Sequence, residues 1–157
     1  MALPTVQGTF AAELSEVGVR QLRFPHQADG AATAGGRRAA ALADELDAYL
    51  RGQLTAFSAG LDLAGTPFQL EVWEQLRRIP YGEVRSYGQV AATIGRSDAV
   101  RAVGAANGAN PVPVLVPCHR VIGSTGKLVG FGGGIEWKRR LLAIENPARW
   151  AELPLGV

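Results

Sequence analysis

Asn110-Pro111-Val112-Pro113-Val114-Leu115-Val116-Pro117-Cys118-His119-Arg120 is the stretch around which the chain is organised. Three prolines stand in the seven residues before Cys118. Each fixes φ and removes a backbone donor, so the segment reads as a stiff platform rather than a mobile loop. Cys118 is the only cysteine in 157 residues. It has no partner for an internal disulfide and cannot belong to a multi-cysteine metal site. An imidazole follows at His119, and a carboxylate, Glu145, stands further on in a helical segment. Cys, His and Glu are the parts of an activated thiolate: the base takes the thiol proton and the carboxylate orients the base. A lone cysteine is more often an inert residue that packs like a small hydrophobe. The adjacent imidazole and the proline frame favour the reactive reading. A free thiol titrates at about 8.5. His119 oriented by Glu145 is expected to bring Cys118 below that value, the two groups titrating as a coupled pair.

Upstream, Ser86-Tyr87-Gly88-Gln89 is a capping box that opens a short helix through Ile94, and Gly95 ends it. Ser97 is expected to cap the next helix, from Asp98 to about Asn107. Two short helices joined by Gly95-Arg96-Ser97 read as a helix-turn-helix. The second helix lacks the Asn, Gln and Lys side chains that read base edges in the major groove. It offers Ala and Gly with one long cation, Arg101. So smooth a helix suits the narrower minor groove. The same composition also suits close helix packing, with Arg101 in a surface ion pair. Before this pair, Thr66-Pro67-Phe68-Gln69 caps a helix whose apolar face holds Phe68, Val72, Leu76 and Ile79, with Trp73 as a core aromatic. Pro80 to Glu83 is a turn. After Cys118, His119 to Ile122 reads as a strand and Ser124-Thr125-Gly126 as a turn. Leu128 to Gly134 is glycine-rich without a phosphate-binding fingerprint, and Ile135 to Glu145 is the last helix.

The first half holds no comparable chemistry. Gly8 to Leu14 and Val19 to Phe24 read as a hairpin around Ser15 to Gly18, and Pro25 to Gly36 as a loop. Arg37 to Arg51 reads as a helix with Leu42, Leu46, Tyr49 and Leu50 on one face, and Phe57 to Leu63 as a further strand. A boundary falls at Ala64-Gly65, giving a scaffold domain over residues 1–64 and a second domain over residues 65–157. Residues 1–65 carry 5 basic and 7 acidic side chains, residues 66–157 carry 11 and 7. The basic excess lies in the half that holds Cys118, which suits a polyanionic partner. No apolar run approaches the ~20 residues of a membrane span. The N-terminus lacks a secretory pattern and a free thiol fits a reducing compartment, so a cytoplasmic protein is expected.

Asn-Pro-x-Pro-x-x-x-Pro-Cys-His-Arg-Val, preceded by Tyr-Gly-x-x-x-Ser-Tyr and Arg-Ala-Val-Gly, resembles the O6-alkylguanine-DNA alkyltransferases over roughly residues 62–147. The resemblance implies an α+β fold: a small N-terminal α/β, ribonuclease H-like domain, then a mainly helical, winged-helix-like domain carrying Cys118. It implies irreversible, stoichiometric transfer of an alkyl group from O6-alkylguanine, and from O4-alkylthymine, in flipped-out bases to Cys118. His119 would act through a water as base and Glu145 would orient it. Asn110 would fix the turn into the active-site loop, and Tyr87 would contact the base or its phosphate and assist the leaving guanine. Arg101, Ala102, Gly104, Tyr87 and Ser97 would bind DNA in its minor groove, Arg101 filling the gap left by the flipped base. Val121, Phe131, Gly132 and Tyr87 would line the alkylguanine pocket. The implied partner is double-stranded DNA, the implied protein a monomer without cofactor or membrane contact.

Two departures stand out. Phe131 occupies a position where the family often has Tyr, which removes a hydroxyl and keeps a stacking face. The N-terminal half has no cysteine and only His26, so no zinc is expected. Two other readings stay open: a Cys-His-Glu hydrolase, which must turn over, and a non-catalytic helix-turn-helix damage sensor, which would not need Cys118.

Overall fold

Alternating burial builds the first sheet. Leu3 lies inside on β1 (Ala2–Thr5), Phe10 and Ala12 on β2 (Gly8–Leu14), and Val19 and Leu22 on β3 (Val19–Arg23). The three strands pair antiparallel in the order β1-β2-β3. The helix α1 (Arg37–Leu50) packs on β1 and buries Leu42, Leu46, Tyr49 and Leu50. The structure, a computed structural model, describes residues 1–28, 35–126, 128, 131 and 133–150. It separates into two compact units, Met1–Leu63 and Ala64–Val157.

Two features of the first unit differ from the sequence reading. β1 is an additional strand: Pro4 argues against a central strand, but β1 is an edge, where a missing N–H costs no ladder bond. The segment expected as a strand from Phe57 to Leu63 instead makes a single parallel bridge, Leu61 to Val19. Two bonds of 2.9 Å flank it, Val19 N–H to Gly60 O and Asp62 N–H to Val19 O. The chains meet there because Gly18 has no side chain; a Cβ would sit 2.4 Å from Gly60 O.

The second unit is mainly helical. Thr66 and Gln69 form the expected capping box at the start of α2 (Pro67–Arg77). Trp73 is buried there, and its Nε1–H donates to Ala106 O at 2.8 Å. Ser86 and Gln89 cap α3 (Tyr87–Thr93), and Gly95 with φ 72° turns the chain away from it. The next helix, α4 (Val100–Gly108), starts later than expected: Ala99 is its N-cap and no side chain caps it. Ser97 lies instead in a preceding turn, closed by Ala99 N–H to Arg96 O at 2.8 Å. The expected strand from His119 to Ile122 divides into a 3-10 turn, Cys118–Arg120, and β5 (Val121–Ile122). β5 pairs parallel with β4 (Arg85–Ser86), which ties the Cys118 turn to the start of α3. The chain continues into α5 (Ile135–Glu145) and the short α6 (Pro147–Trp150). Ile122, Leu142 and Trp150 form one buried cluster.

Candidate active site

The proline segment is cinched by one side chain. Asn110 Oδ1 accepts from Val112 N–H at 2.9 Å, and Asn110 Nδ2 donates to Val116 O at 2.8 Å. Val116 N–H closes the loop on Val112 O at 2.9 Å. Between these bonds Val114 adopts φ 75°, the one non-glycine positive φ among the described residues. A β-branched residue there costs on the order of 1–3 kcal/mol. Buried packing of Val112, Val114 and Val116 holds it. The loop delivers Cys118, only 4% exposed, at the start of the 3-10 turn.

That turn sends two side chains to one carboxylate. His119 Nε2 lies 2.7 Å from Glu145 Oε2. Arg120 donates to both oxygens, from Nε to Oε1 at 2.8 Å and from Nη2 to Oε2 at 2.9 Å. Arg120 Nη1 also donates to Ile79 O at 2.7 Å. Gly82 N–H adds a fourth donor to Glu145 Oε1 at 3.3 Å, and Asn146 Nδ2 donates back to Gly82 O at 3.3 Å. Gly82 has φ 81°, and a Cβ would stand 3.2 Å from Glu145 O, so this turn requires glycine. Burial alone would raise the Glu145 carboxyl, but the bonds and charges of His119 and Arg120 outweigh it and hold it well below the carboxylate range. An ionised carboxylate only accepts, so His119 carries its proton on Nε2. Burial, then the charges of Arg120 and Lys138, press the imidazole below its ordinary value against the pull of Glu145.

Around the thiol the arrangement differs. Lys138 on α5 is 0% exposed; its ammonium donates to Val121 O at 2.6 Å and lies 5.9 Å from the Tyr87 ring centroid. Burial pushes the Cys118 thiol up to about 11. The Asn110 side chain, the Lys138 charge and the backbone amides of Cys118 and His119 oppose that rise only in part. The expectation of a thiol below its reference value is therefore corrected. Burying a charge in an apolar wall outweighs the local donors, and Glu145 is already balanced by Arg120. Lys138 is pushed down to about 8 by the same burial, against the pull of Cys118. Burial and the Cys118 charge raise the Tyr87 phenol, while a hydrogen bond with the Asn107 side chain lowers it.

Of the residues singled out from sequence, the structure gathers Cys118, His119, Glu145, Asn110, Tyr87 and Val121 in this region of the second unit. Arg101 and Ala102 are exposed on α4, and Gly104 faces Tyr87, whose ring lies 3.9 Å from where a Cβ would be. Ser97 is exposed in its turn, Phe131 is half-buried, and Gly132 lies outside the described residues. Sequence reasoning missed Arg120, Lys138, Asn107 and Gly82. Asn107 is buried at the end of α4, and its Nδ2 approaches Cys118 O at 3.4 Å.

The charge pattern sets an acid limit to stability. In the unfolded chain an imidazole takes a proton near 6.5, whereas folded His119 resists it. The unfolded state then binds more protons, so stability falls as pH drops through that value. Glu145 adds a second loss below 4.5, where its unfolded carboxyl protonates and the folded one does not. Urea midpoints measured across this range should decline in two steps, and His119→Phe, if folded, should lack the first.

Among the described residues, no group of three or more His, Cys, Asp and Glu side chains is placed to hold a metal, and no helix is long and apolar enough to cross a membrane. Residues 67–147, which hold the helix pair and the framed, buried cysteine, match the family described as 6-O-methylguanine DNA methyltransferase, DNA binding domain. The chain is 57% identical over 112 residues to the methylated-DNA–protein-cysteine methyltransferase of Mycobacterium bovis, covering 71% of this chain and 68% of that one. It is 54% identical over 107 residues to the Salmonella typhimurium protein of the same name, covering 67% and 62%. The crystal structure of Mycobacterium tuberculosis OGT in complex with DNA superposes with a TM-score of 0.84 at 45% identity, covering 93% of this chain and 91% of that one. The chain belongs to the methylated-DNA–protein-cysteine methyltransferase family.

Proposed function

We propose that this protein reverses alkylation damage in double-stranded DNA by moving the alkyl group of O6-alkylguanine, and of O4-alkylthymine, onto Cys118. The observation that carries this reading is the sole thiol of the chain, held by Asn110, two backbone amides and the Lys138 charge beside the His119–Glu145 pair. The O6 substituent is buried in duplex DNA, so the base must leave the stack, at a cost of a few kcal/mol. The thiol proton passes through a water to His119 while Glu145 holds the imidazole. Sulfur attacks the alkyl carbon, the carbon–O6 bond breaks, and its electron pair leaves with guanine, which recovers the proton. Tyr87 assists that departure. The thioether has no release step, so each molecule acts once, as a monomer without cofactor.

The smooth exposed side of α4, with Arg101, Ala102 and Ala105, supports minor-groove docking, with Arg101 entering the gap left by the flipped base and Ser97 and Gly104 near the backbone. Tyr87, Val121, Phe131 and Gly132 receive the base. We read residues 1–64 as a ribonuclease H-like scaffold domain, residues 65–157 as a winged-helix-like alkyltransferase domain, and the protein as cytoplasmic. With methylated DNA in excess, one lesion should disappear per protein molecule, and none with Cys118→Ser. More than one per molecule would replace this reading with the hydrolase. Arg101→Ala should slow repair of duplex DNA by roughly tenfold, ~1.4 kcal/mol of barrier, yet leave transfer from free alkylguanine base unchanged. Equal losses on both substrates would make Arg101 structural.

A further inference from the structure

Glu145 accepts two bonds from Arg120, one from His119 and one from the Gly82 amide. Oε2 is shared between Arg120 Nη2 at 2.9 Å and His119 Nε2 at 2.7 Å. The guanidinium is itself anchored, by Ile79 O at 2.7 Å and beneath the Tyr81 ring at 5.8 Å. Counting charge decides what such a cluster can hold. Arg120 and Glu145 cancel. A proton on His119 would then be surplus, placed in a buried site beside two buried cations, Arg120 and Lys138. Without Arg120 the carboxylate would be left unbalanced, and an imidazolium would be the natural counter-ion.

We propose that Arg120 is a positioning residue which, by holding Glu145 bidentate and charge-balanced, keeps His119 a neutral imidazole with Nε2–H toward Glu145 and its other nitrogen able to receive a proton. The proposal rests on the alkyl-transfer reading above and adds how its base is kept ready. Glu145 orients the imidazole, and Arg120 prevents that carboxylate from charging it prematurely. The ionisable groups around His119 are Glu145 and Lys138 from α5, Arg120 and Cys118 from its own turn, and Tyr81 on the far side of Arg120. The segment after α2 contributes the neutral Ile79 carbonyl. Burial opposes a proton on His119 most, Glu145 favours it, and the two cations add to the opposition.

Two measurements test this. The first is the ring 15N shifts of His119 against pH in the free wild-type protein. A neutral imidazole protonated at Nε2 should persist to below pH ~6.5, the ordinary value for histidine. An imidazolium at neutral pH would overturn the proposal. The second compares single-turnover transfer across pH for wild type, Arg120→Gln and Arg120→Lys. Arg120→Gln should move the acid limb upward by about one pH unit, a tenfold loss on the acid side that recovers as pH rises, with Arg120→Lys between. A loss by the same factor at every pH would assign Arg120 a structural role only. If Arg120→Gln does not fold, Arg120→Lys against wild type, in titration and in rate, still decides. If Cys118 takes no alkyl group from DNA, the function falls, and the imidazole titration, repeated in Arg120→Gln, still judges Arg120 separately.

Discussion

Glu145→Gln should destabilise the protein by about 3–5 kcal/mol, the range for breaking one side of a buried ion pair. The substitution keeps the shape and removes the charge. Arg120, itself buried, then holds a positive charge faced by a neutral amide, Ile79 O and the Tyr81 ring, with no carboxylate to balance it. His119 Nε2–H keeps an oxygen to donate to, so its orientation survives in part. With the carboxylate gone, the two cations press the imidazole further from protonation and it becomes a poorer proton acceptor. Transfer should slow across the whole pH range while DNA affinity barely changes. Urea unfolding gives the first quantity, single-turnover rates and a binding titration the others. An unchanged urea midpoint would mean that Glu145 merely ends a helix. A normal rate in a weakened fold would remove it from the proton path.

Lys138→Met should have the opposite signature. Lys138 is fully buried and its ammonium attracts the Cys118 thiolate. The thiol is pushed up to about 11 even with that attraction. Losing it raises the thiol further, and each pH unit is a tenfold smaller thiolate fraction. Transfer, and iodoacetamide labelling of Cys118 without DNA, should both slow by about tenfold or more. Stability should hold or rise, because burying an ammonium costs free energy that a methionine of similar length does not. Lys138→Arg should preserve more of the rate than Lys138→Met. Equal labelling rates in wild type and Lys138→Met would show that the amides and Asn110 suffice.

Much of this site can be read from the residues alone. Cys118 stands out as the only thiol, His119 by adjacency, and Glu145 as a carboxylate at the unfavourable end of a helix. What escapes is geometry that depends on turn type. As a strand, His119 and Arg120 would point to opposite faces. As a 3-10 turn they both reach Glu145, and Arg120 becomes part of the cluster. Lys138 hides in Glu136-Trp137-Lys138-Arg139-Arg140, which reads as a solvated run of charge. Its spacing from Leu141, Leu142 and Glu145 is a helix-face signal that could have revealed it. Ser97 carries the chemistry of a cap, but the Arg96–Ala99 turn consumes it before α4 begins. The capping boxes at Thr66 and Ser86 are legible because donor and acceptor both lie within four residues. The bridge from Val19 to Leu61 is not, since it depends on a close approach between Gly18 and Gly60 that no local pattern encodes.

Alkyl transfer to Cys118 leaves a covalent mark, and mass spectrometry of the protein after mixing with an excess of duplex DNA carrying O6-methylguanine reads that mark. The expected result is a gain of one methylene mass per molecule, located on the peptide containing Cys118, stable to dialysis and matched by one restored guanine. Restored guanine with an unmodified Cys118, or a protein that binds the lesion and leaves both unchanged, would contradict it.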